Sequence, residues 1–167
     1  MENENKFYLI LHNIRSAYNV GAIFRTADGA GVDHIYLTGY TPLPPDESQI
    51  YTTKAERKII KTALGAHEYV SWSGHKNIED VFIKMRKENV QIVALEQTQK
   101  SVDYKKFIPT QSIALVLGNE PVGIDEQILS LCDTIIDIPM RGRKKSLNVS
   151  VAAGVAIYEL IDKIKKI

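Results

Sequence analysis

The sequence predicts an α/β fold: a mostly parallel six-stranded sheet flanked by helices. Three observations predict it. Six short apolar segments rich in Val, Ile, Leu and Tyr recur along the chain, most of them closed by Gly, Pro, Asn or Asp. Stretches with helical spacing separate them, and strand alternating with helix is the pattern of a parallel sheet covered on both faces. The strands read as continuous apolar runs, as they do when a sheet is buried on both sides.

The elements follow in order. FYLILHN (7–13) opens the sheet, and a helix is expected at about 20–30, with Asn19 as its N-cap and Val20, Phe24, Ala27 and Gly31 as its core stripe. HIYLTGY (34–40) is the second strand, and the Pro-rich TPLPPDES (41–48) reads as a surface loop. A helix at 53–64 leads to the strand YVSW (69–72), and a helix at 77–89 leads to VQIVALEQ (90–97). SIALVLG (112–118) precedes a short helix at 125–131 capped by Asp125, and TIIDIPM (134–140) precedes a last helix at 147–165.

Composition bounds the function. The chain has 167 residues, with 21 Lys+Arg against 20 Asp+Glu, 44% hydrophobic and 25% charged residues. A chain of this size buries roughly 70% of its unfolded surface without disulfide or metal. We read it as a single domain, 1–167, with no accessory RNA-binding domain and no internal repeat. Cys132 is the only cysteine, which rules out a disulfide framework and suits a reducing cytoplasm. The polar, acidic start MENENK argues against a secretory leader, and the apolar tail from Leu147 is interrupted by Asn148, Ser150, Glu159 and Asp162, so no membrane span is expected. His12, His34, His67 and His75 lack metal-ligand spacing, and no metal is expected. Near-neutral charge means that any nucleic-acid role rests on local basic patches.

In open α/β sheets ligands gather beyond the carboxyl ends of the strands. Three loops there carry polar residues. The first, from Asn19 to Thr26, has neither a GxGxxG nor a P-loop lysine. Gly21 lies one turn before Arg25 on the same helix face and leaves the guanidinium unobstructed. Taken alone, the segment is better described by a capping Asn and a snorkelling surface Arg. The second loop is LGNEPVG (117–123), where two glycines permit close backbone approach to a ligand and Glu120 adds a charge. A tight turn before the next helix is the alternative. In the third, IPMRGRKKSLNVS (138–150), Ser146 is a candidate N-cap, while Asn148 early in an apolar helix needs a partner that a ligand could supply.

Taken together, NxGxxxRT (19–26), LGNExxGI (117–124) and IPMxGxxxSLNVSVA (138–152) resemble the three motifs of the SpoU (TrmH-like) family within the SPOUT superfamily of RNA methyltransferases. The resemblance covers nearly the whole chain, and the third motif is its most specific part. It implies a SPOUT-type α/β knot, with a trefoil knot built from about residue 90 onward, and S-adenosylmethionine held in the knotted loops mainly by backbone groups of Leu117, Gly118, Ile138, Met140 and Leu147. It also implies methyl transfer to a ribose 2′-hydroxyl of tRNA or rRNA, with Arg25 matching the catalytic arginine and Asn19, Glu120, Ser146 and Asn148 the other polar positions. A guanidinium rarely gives up its proton, so a phosphate clamp suits Arg25 better than a general base. A non-catalytic RNA-binding knotted domain and a base-directed methyltransferase are the alternatives.

RNA contacts have two candidates. Arg141, Arg143, Lys144 and Lys145 flank the third motif, and Lys54, Arg57, Lys58 and Lys61 share one side of a helix. A solvated charged face is the competing reading of each. The last helix is apolar around most of its circumference, as in a buried core helix or, by the resemblance, the interface of a homodimer.

Overall fold

The protein is described by a computed structural model that covers residues 5–46, 48 and 50–164. The polar opening at 1–4, loop residue 47 and the expected last residue of the final helix, 165, lie outside them. The strands are β1 (Phe7–His12), β2 (His34–Thr38), β3 (Trp72–His75), β4 (Gln91–Leu95), β5 (Val102–Asp103), β6 (Ile113–Leu117) and β7 (Thr134–Asp137). The helices are α1 (Ala17–Ala30), α2 (Lys54–Ala63), α3 (Ala66–Tyr69), α4 (Ile78–Lys87), α5 (Glu126–Ser130) and α6 (Val149–Ile164).

All strand pairs are parallel and form one seven-stranded sheet in the order β3-β2-β1-β6-β4-β7-β5. The six expected strands are thus joined by a seventh. β5 is a two-residue edge strand bearing Asp103, too short and polar to stand out as an apolar run. The third strand is also displaced: Tyr69 ends α3, and pairing starts at Trp72, opposite Ile35. An edge strand half open to water needs no apolar run, so its Ser73, Gly74 and His75 gave no signal.

Period-two alternation sorts the core into two layers. Phe7, Leu9 and Leu11 face one layer with α1, α2 and α6, whereas Tyr8 and Ile10 face the other with α4 and α5. β1 is buried along its whole length, as expected for a strand near the middle of the sheet. Its register sets Leu9 opposite both Ile35 and Leu115. Neighbouring β1 and β6 feed helices on opposite faces, α1 and α5, the arrangement at which open α/β sheets gather ligands beyond the strand ends.

Several local expectations change. Ser16, not Asn19, caps α1, its hydroxyl accepting from the Asn19 N–H, so the helix starts earlier than the polar pattern implied. Gly31 leaves the core stripe and becomes a left-handed C-cap with φ 75°. Gly21 faces α2 rather than clearing a path for Arg25: a Cβ there would collide with the Thr62 hydroxyl and the Ile59 carbonyl. Asp125 caps α5 as expected, accepting from the Ile128 N–H at 3.0 Å. Cys132 is unpaired, and burial, with the charge of Asp133 adding to it, pushes its thiol up to about 12, which leaves it inert. No helix among the described residues is long and apolar enough to cross a membrane.

Candidate active site

The site is assembled from the turn after β6 outward. Gly118 continues the strand where no side chain fits, since a Cβ there would stand 2.5 Å from Ile124 Cγ1 and 2.8 Å from the Gly123 carbonyl carbon. Gly123 adopts φ 72°, and its N–H donates to the Asn119 carbonyl at 2.8 Å to close the turn. Asn119 is buried. Its amide donates to the Asn13 carbonyl at 3.0 Å and to the Tyr40 hydroxyl at 2.7 Å, and its side-chain oxygen accepts from the Val122 N–H at 3.1 Å. It therefore pins the β6 turn to the loops after β1 and β2. Within the second motif it was not singled out, because only the partners brought by the fold distinguish it from an ordinary turn asparagine.

The pinned turn presents Glu120 to the start of α1. Its carboxylate accepts from the Arg15 and Ser16 N–H groups at 2.8 and 3.0 Å and from the Asn19 amide at 2.8 Å. Partial burial pushes this carboxyl up, but the hydrogen bonds from Arg15, Asn19 and Ser16 outweigh it and hold the group below the usual carboxylate range. A carboxylate at a helix N-terminus also meets the positive end of the helix dipole.

Asn19 in turn accepts from the Asn148 amide at 3.2 Å. Asn148 precedes α6 and caps it, accepting from the Ser150 N–H at 2.8 Å and the Ser150 hydroxyl at 2.6 Å. That corrects the expectation of Ser146 as the cap and of an Asn148 without protein partners: the helix begins two residues later, and both polar ends of Asn148 are engaged. Glu120, Asn19 and Asn148 thus form one chain of hydrogen bonds through all three loops, across 101 and 129 residues of sequence.

Beside this chain lies a cavity of about 580 Å³ at the carboxyl ends of β4, β6 and β7. Leu117, Gly118, Ile138, Met140 and Leu147 all line it, together with Glu120, Ser146 and Asn148. Sequence reasoning missed Glu96 and Asp137, which also line it. Glu96 accepts from the Ile124 N–H at 3.1 Å. Both stand at strand ends, and that position was the signal available. With Glu96, Asp137 and Glu120 and no Lys, Arg or His in its lining, the cavity suits a neutral or cationic ligand and disfavours a phosphate-bearing one.

Arg25 sits two turns along α1, exposed, outside the cavity lining and without an ion-pair partner among the described residues. Neither Asn19 nor Glu120 bonds to it; they bond to each other. Arg141, Arg143, Lys144 and Lys145 are exposed on the loop between the cavity and α6. Lys54, Arg57, Lys58 and Lys61 are exposed along α2 and line a second, smaller pocket.

A parallel α/β sheet with a cavity at the carboxyl ends of its strands, built from the loops after β4, β6 and β7, has the form of a small-molecule-binding α/β domain. Residues 6–158 match the model of the SpoU rRNA Methylase family, and the chain belongs to that family. Among curated relatives it is 30% identical over 149 residues to the tRNA (guanosine(18)-2′-O)-methyltransferase of Escherichia coli (strain K12), covering 89% of this chain and 60% of that protein. An AdoMet-bound rRNA methyltransferase structure from Sinorhizobium meliloti is 30% identical, with a TM-score of 0.79 over 94% of this chain and 56% of that one. The TrmH/SpoU tRNA modifying enzyme of A. aeolicus is 28% identical, with a TM-score of 0.80 over 97% and 77%. The chain spans about 60% of the length of the curated relatives it matches.

Proposed function

We propose that the protein transfers the methyl group of S-adenosylmethionine to a ribose 2′-hydroxyl of tRNA or rRNA, acting in the cytoplasm as a homodimer. The observation that carries this reading is the hydrogen-bonded chain Glu120–Asn19–Asn148, which draws the three loops together at the edge of the acidic, partly apolar cavity. The lining residues fit the cofactor: apolar strand ends and a glycine take an adenosine, and carboxylates without cations tolerate a positively charged sulfonium. When bound, S-adenosylmethionine supplies an electrophilic methyl group.

The chain's own residues then have distinct tasks. Leu117, Gly118, Ile138, Met140 and Leu147 bind the cofactor. Ser146, which has no hydrogen-bond partner among the described residues, offers its hydroxyl to cofactor or nucleotide. Asn19, Glu120 and Asn148 are positioning residues. Glu120 is held ionised by three donors and is not the proton acceptor. Arg25 is the catalytic residue: a ribose hydroxyl is a poor nucleophile at neutral pH, and a guanidinium beside it stabilises developing alkoxide charge while gripping the adjoining phosphate, with phosphate or water taking the proton. Arg141, Arg143, Lys144 and Lys145 hold RNA phosphates beside the cavity. All of 1–167 serves as the methyltransferase domain, and a C-terminal trefoil knot belongs to the same reading, on family membership alone. For the homodimer, support comes from α6, which leaves Val151, Val155 and Tyr158 exposed at spacings of four and three.

The test is to incubate the protein with S-adenosylmethionine and bulk tRNA or rRNA from cells lacking it, digest the RNA to nucleosides and analyse them by mass spectrometry. A 2′-O-methylnucleoside is expected. A base-methylated nucleoside would reassign the acceptor, and no methylation would leave a binding module.

A further inference from the structure

We propose that the pocket where α1 meets α2 is a nucleotide-binding subsite, in which a base flanking the methylated nucleotide stacks on Tyr18 and its phosphate is held by Lys54, Lys58 and Lys61. This rests on the RNA methyltransferase reading and adds to it where, and by what chemistry, the strand next to the target is gripped. The pocket measures about 280 Å³ and is lined by Tyr18, Lys54, Arg57, Lys58 and Lys61, with no carboxylate.

Four like charges within a few turns of helix repel one another, and among the described residues none has an ion-pair partner. Glu56, the acid of this helix, is withdrawn: it is buried in a capping box with Thr53. Arg57 is tied down by donating to the Thr52 carbonyl at 2.9 Å, which leaves the three lysines as mobile donors. An anion is the missing partner.

The aromatic floor makes that anion a nucleotide rather than any polyanion. Tyr18 is 43% exposed, yet its backbone is fixed, because its carbonyl accepts from the Thr62 hydroxyl at 2.9 Å and Gly21, one turn on, packs directly against α2. Lys58 Nζ stands 5.4 Å from the ring centroid. An exposed ring on a fixed backbone, with a lysine over its face that can move aside to a phosphate and further lysines in the same pocket, is an arrangement that can stack a single-stranded base and pair its phosphate. The pocket is also in register with the site. Tyr18 immediately precedes Asn19, and Arg25 lies seven residues further on the same face of α1, a rise of about 10 Å. A strand whose target ribose meets Arg25 would therefore reach Tyr18 with a neighbouring nucleotide.

The test uses the full chain and a fluorescein-labelled single-stranded oligouridylate of about twelve nucleotides, with anisotropy followed across a salt series. Tyr18→Ala is expected to weaken binding about tenfold or more, while Tyr18→Phe keeps it. The triple variant K54Q/K58Q/K61Q should lower the slope of log affinity against log salt by about 2. All three variants should titrate with S-adenosylmethionine as the parent does, which shows them folded. Ultraviolet crosslinking should place a uridine on the peptide containing Tyr18. A parent that does not bind this RNA, an unchanged slope in the lysine variant, or parental binding by Tyr18→Ala would overturn the proposal. So would polyglutamate bound with the same dependence on Tyr18, which would make the pocket a surface for acidic chains. Any of these with methylation intact would leave the methyltransferase standing, whereas a parent that neither binds S-adenosylmethionine nor methylates RNA would remove that reading by itself.

Discussion

Tyr18 and Asn19 are neighbours in the chain but belong to different pockets. Tyr18 lines a pocket whose other side chains are Lys54, Arg57, Lys58 and Lys61, while Asn19 is bonded to Glu120 and Asn148 at the rim of a cavity that holds three carboxylates and no cation. Opposite electrostatics on either side of one helical turn teach a division of labour: a neutral or cationic small molecule on the strand-end side, an anionic chain on the α2 side. Arg25, exposed two turns along α1, belongs to neither lining.

Under the proposed mechanism, losing Arg25 should have the largest effect. Arg25→Ala is expected to lower turnover by about a hundredfold or more, with S-adenosylmethionine affinity by calorimetry unchanged. Undiminished turnover would remove Arg25 from the chemistry. Next, Gly118→Ala places a Cβ against Ile124 and the Gly123 backbone. Such overpacking should cost about 1–3 kcal/mol in chemical denaturation and weaken cofactor binding while sparing oligouridylate binding, and equal losses in both would mean that the two pockets are not independent.

A smaller effect is expected at the carboxylate that joins the loops. Glu120→Gln removes a charge from the α1 N-terminus and should destabilise the protein by about 1 kcal/mol at neutral pH. Because its folded pKa is depressed, the contribution of Glu120 is complete above the unfolded carboxylate value near 4.3 and is lost as pH falls through the folded value. The variant should accordingly show a shallower loss of stability in that acid range, and an unchanged acid limb would contradict the bonding described.

The smallest effect sharpens the comparison from outside both pockets. His34 at the β2–β3 edge bonds to the Ser71 and Ser73 hydroxyls at 2.8 and 2.9 Å. Burial first, then the charges of Lys84 and His75, push its ring down to about 4. The folded state thus binds its proton less readily than the unfolded chain. Its share of stability is full above about 6.5 and lost as pH falls towards 4. His34→Asn should flatten denaturation midpoints over that window and leave both ligand affinities alone; a steeper pH dependence would reverse the sign.

The sheet was legible where physics makes it so. β1, β4 and β6 are covered on both faces and are apolar along most of their length, so FYLILH, QIVAL and IALVL announce themselves. β3 and β5 are edges and need no such run. Helix starts were misjudged by two or three residues because Ser16 and Ser146 are as good local caps as Asn19 and Asn148, and only long-range contacts decide among them. The motif loops could be grouped by resemblance, but their junction could not be read from any one segment, since its bonds span more than a hundred residues of chain. The charge of each pocket was equally hidden, because Glu96 and Asp137 join Glu120, and Tyr18 joins the α2 cations, only in the folded chain.

The division between the two pockets is tested most directly by calorimetric titration of the full chain with S-adenosylmethionine, alone and in the presence of excess ATP, which shares the adenosine but carries phosphates instead of a sulfonium. Saturable binding of S-adenosylmethionine, undiminished by ATP, is the predicted result, since ATP taken up by the Tyr18 pocket leaves the strand-end cavity free. Displacement of S-adenosylmethionine by ATP, or no binding of S-adenosylmethionine, would contradict it.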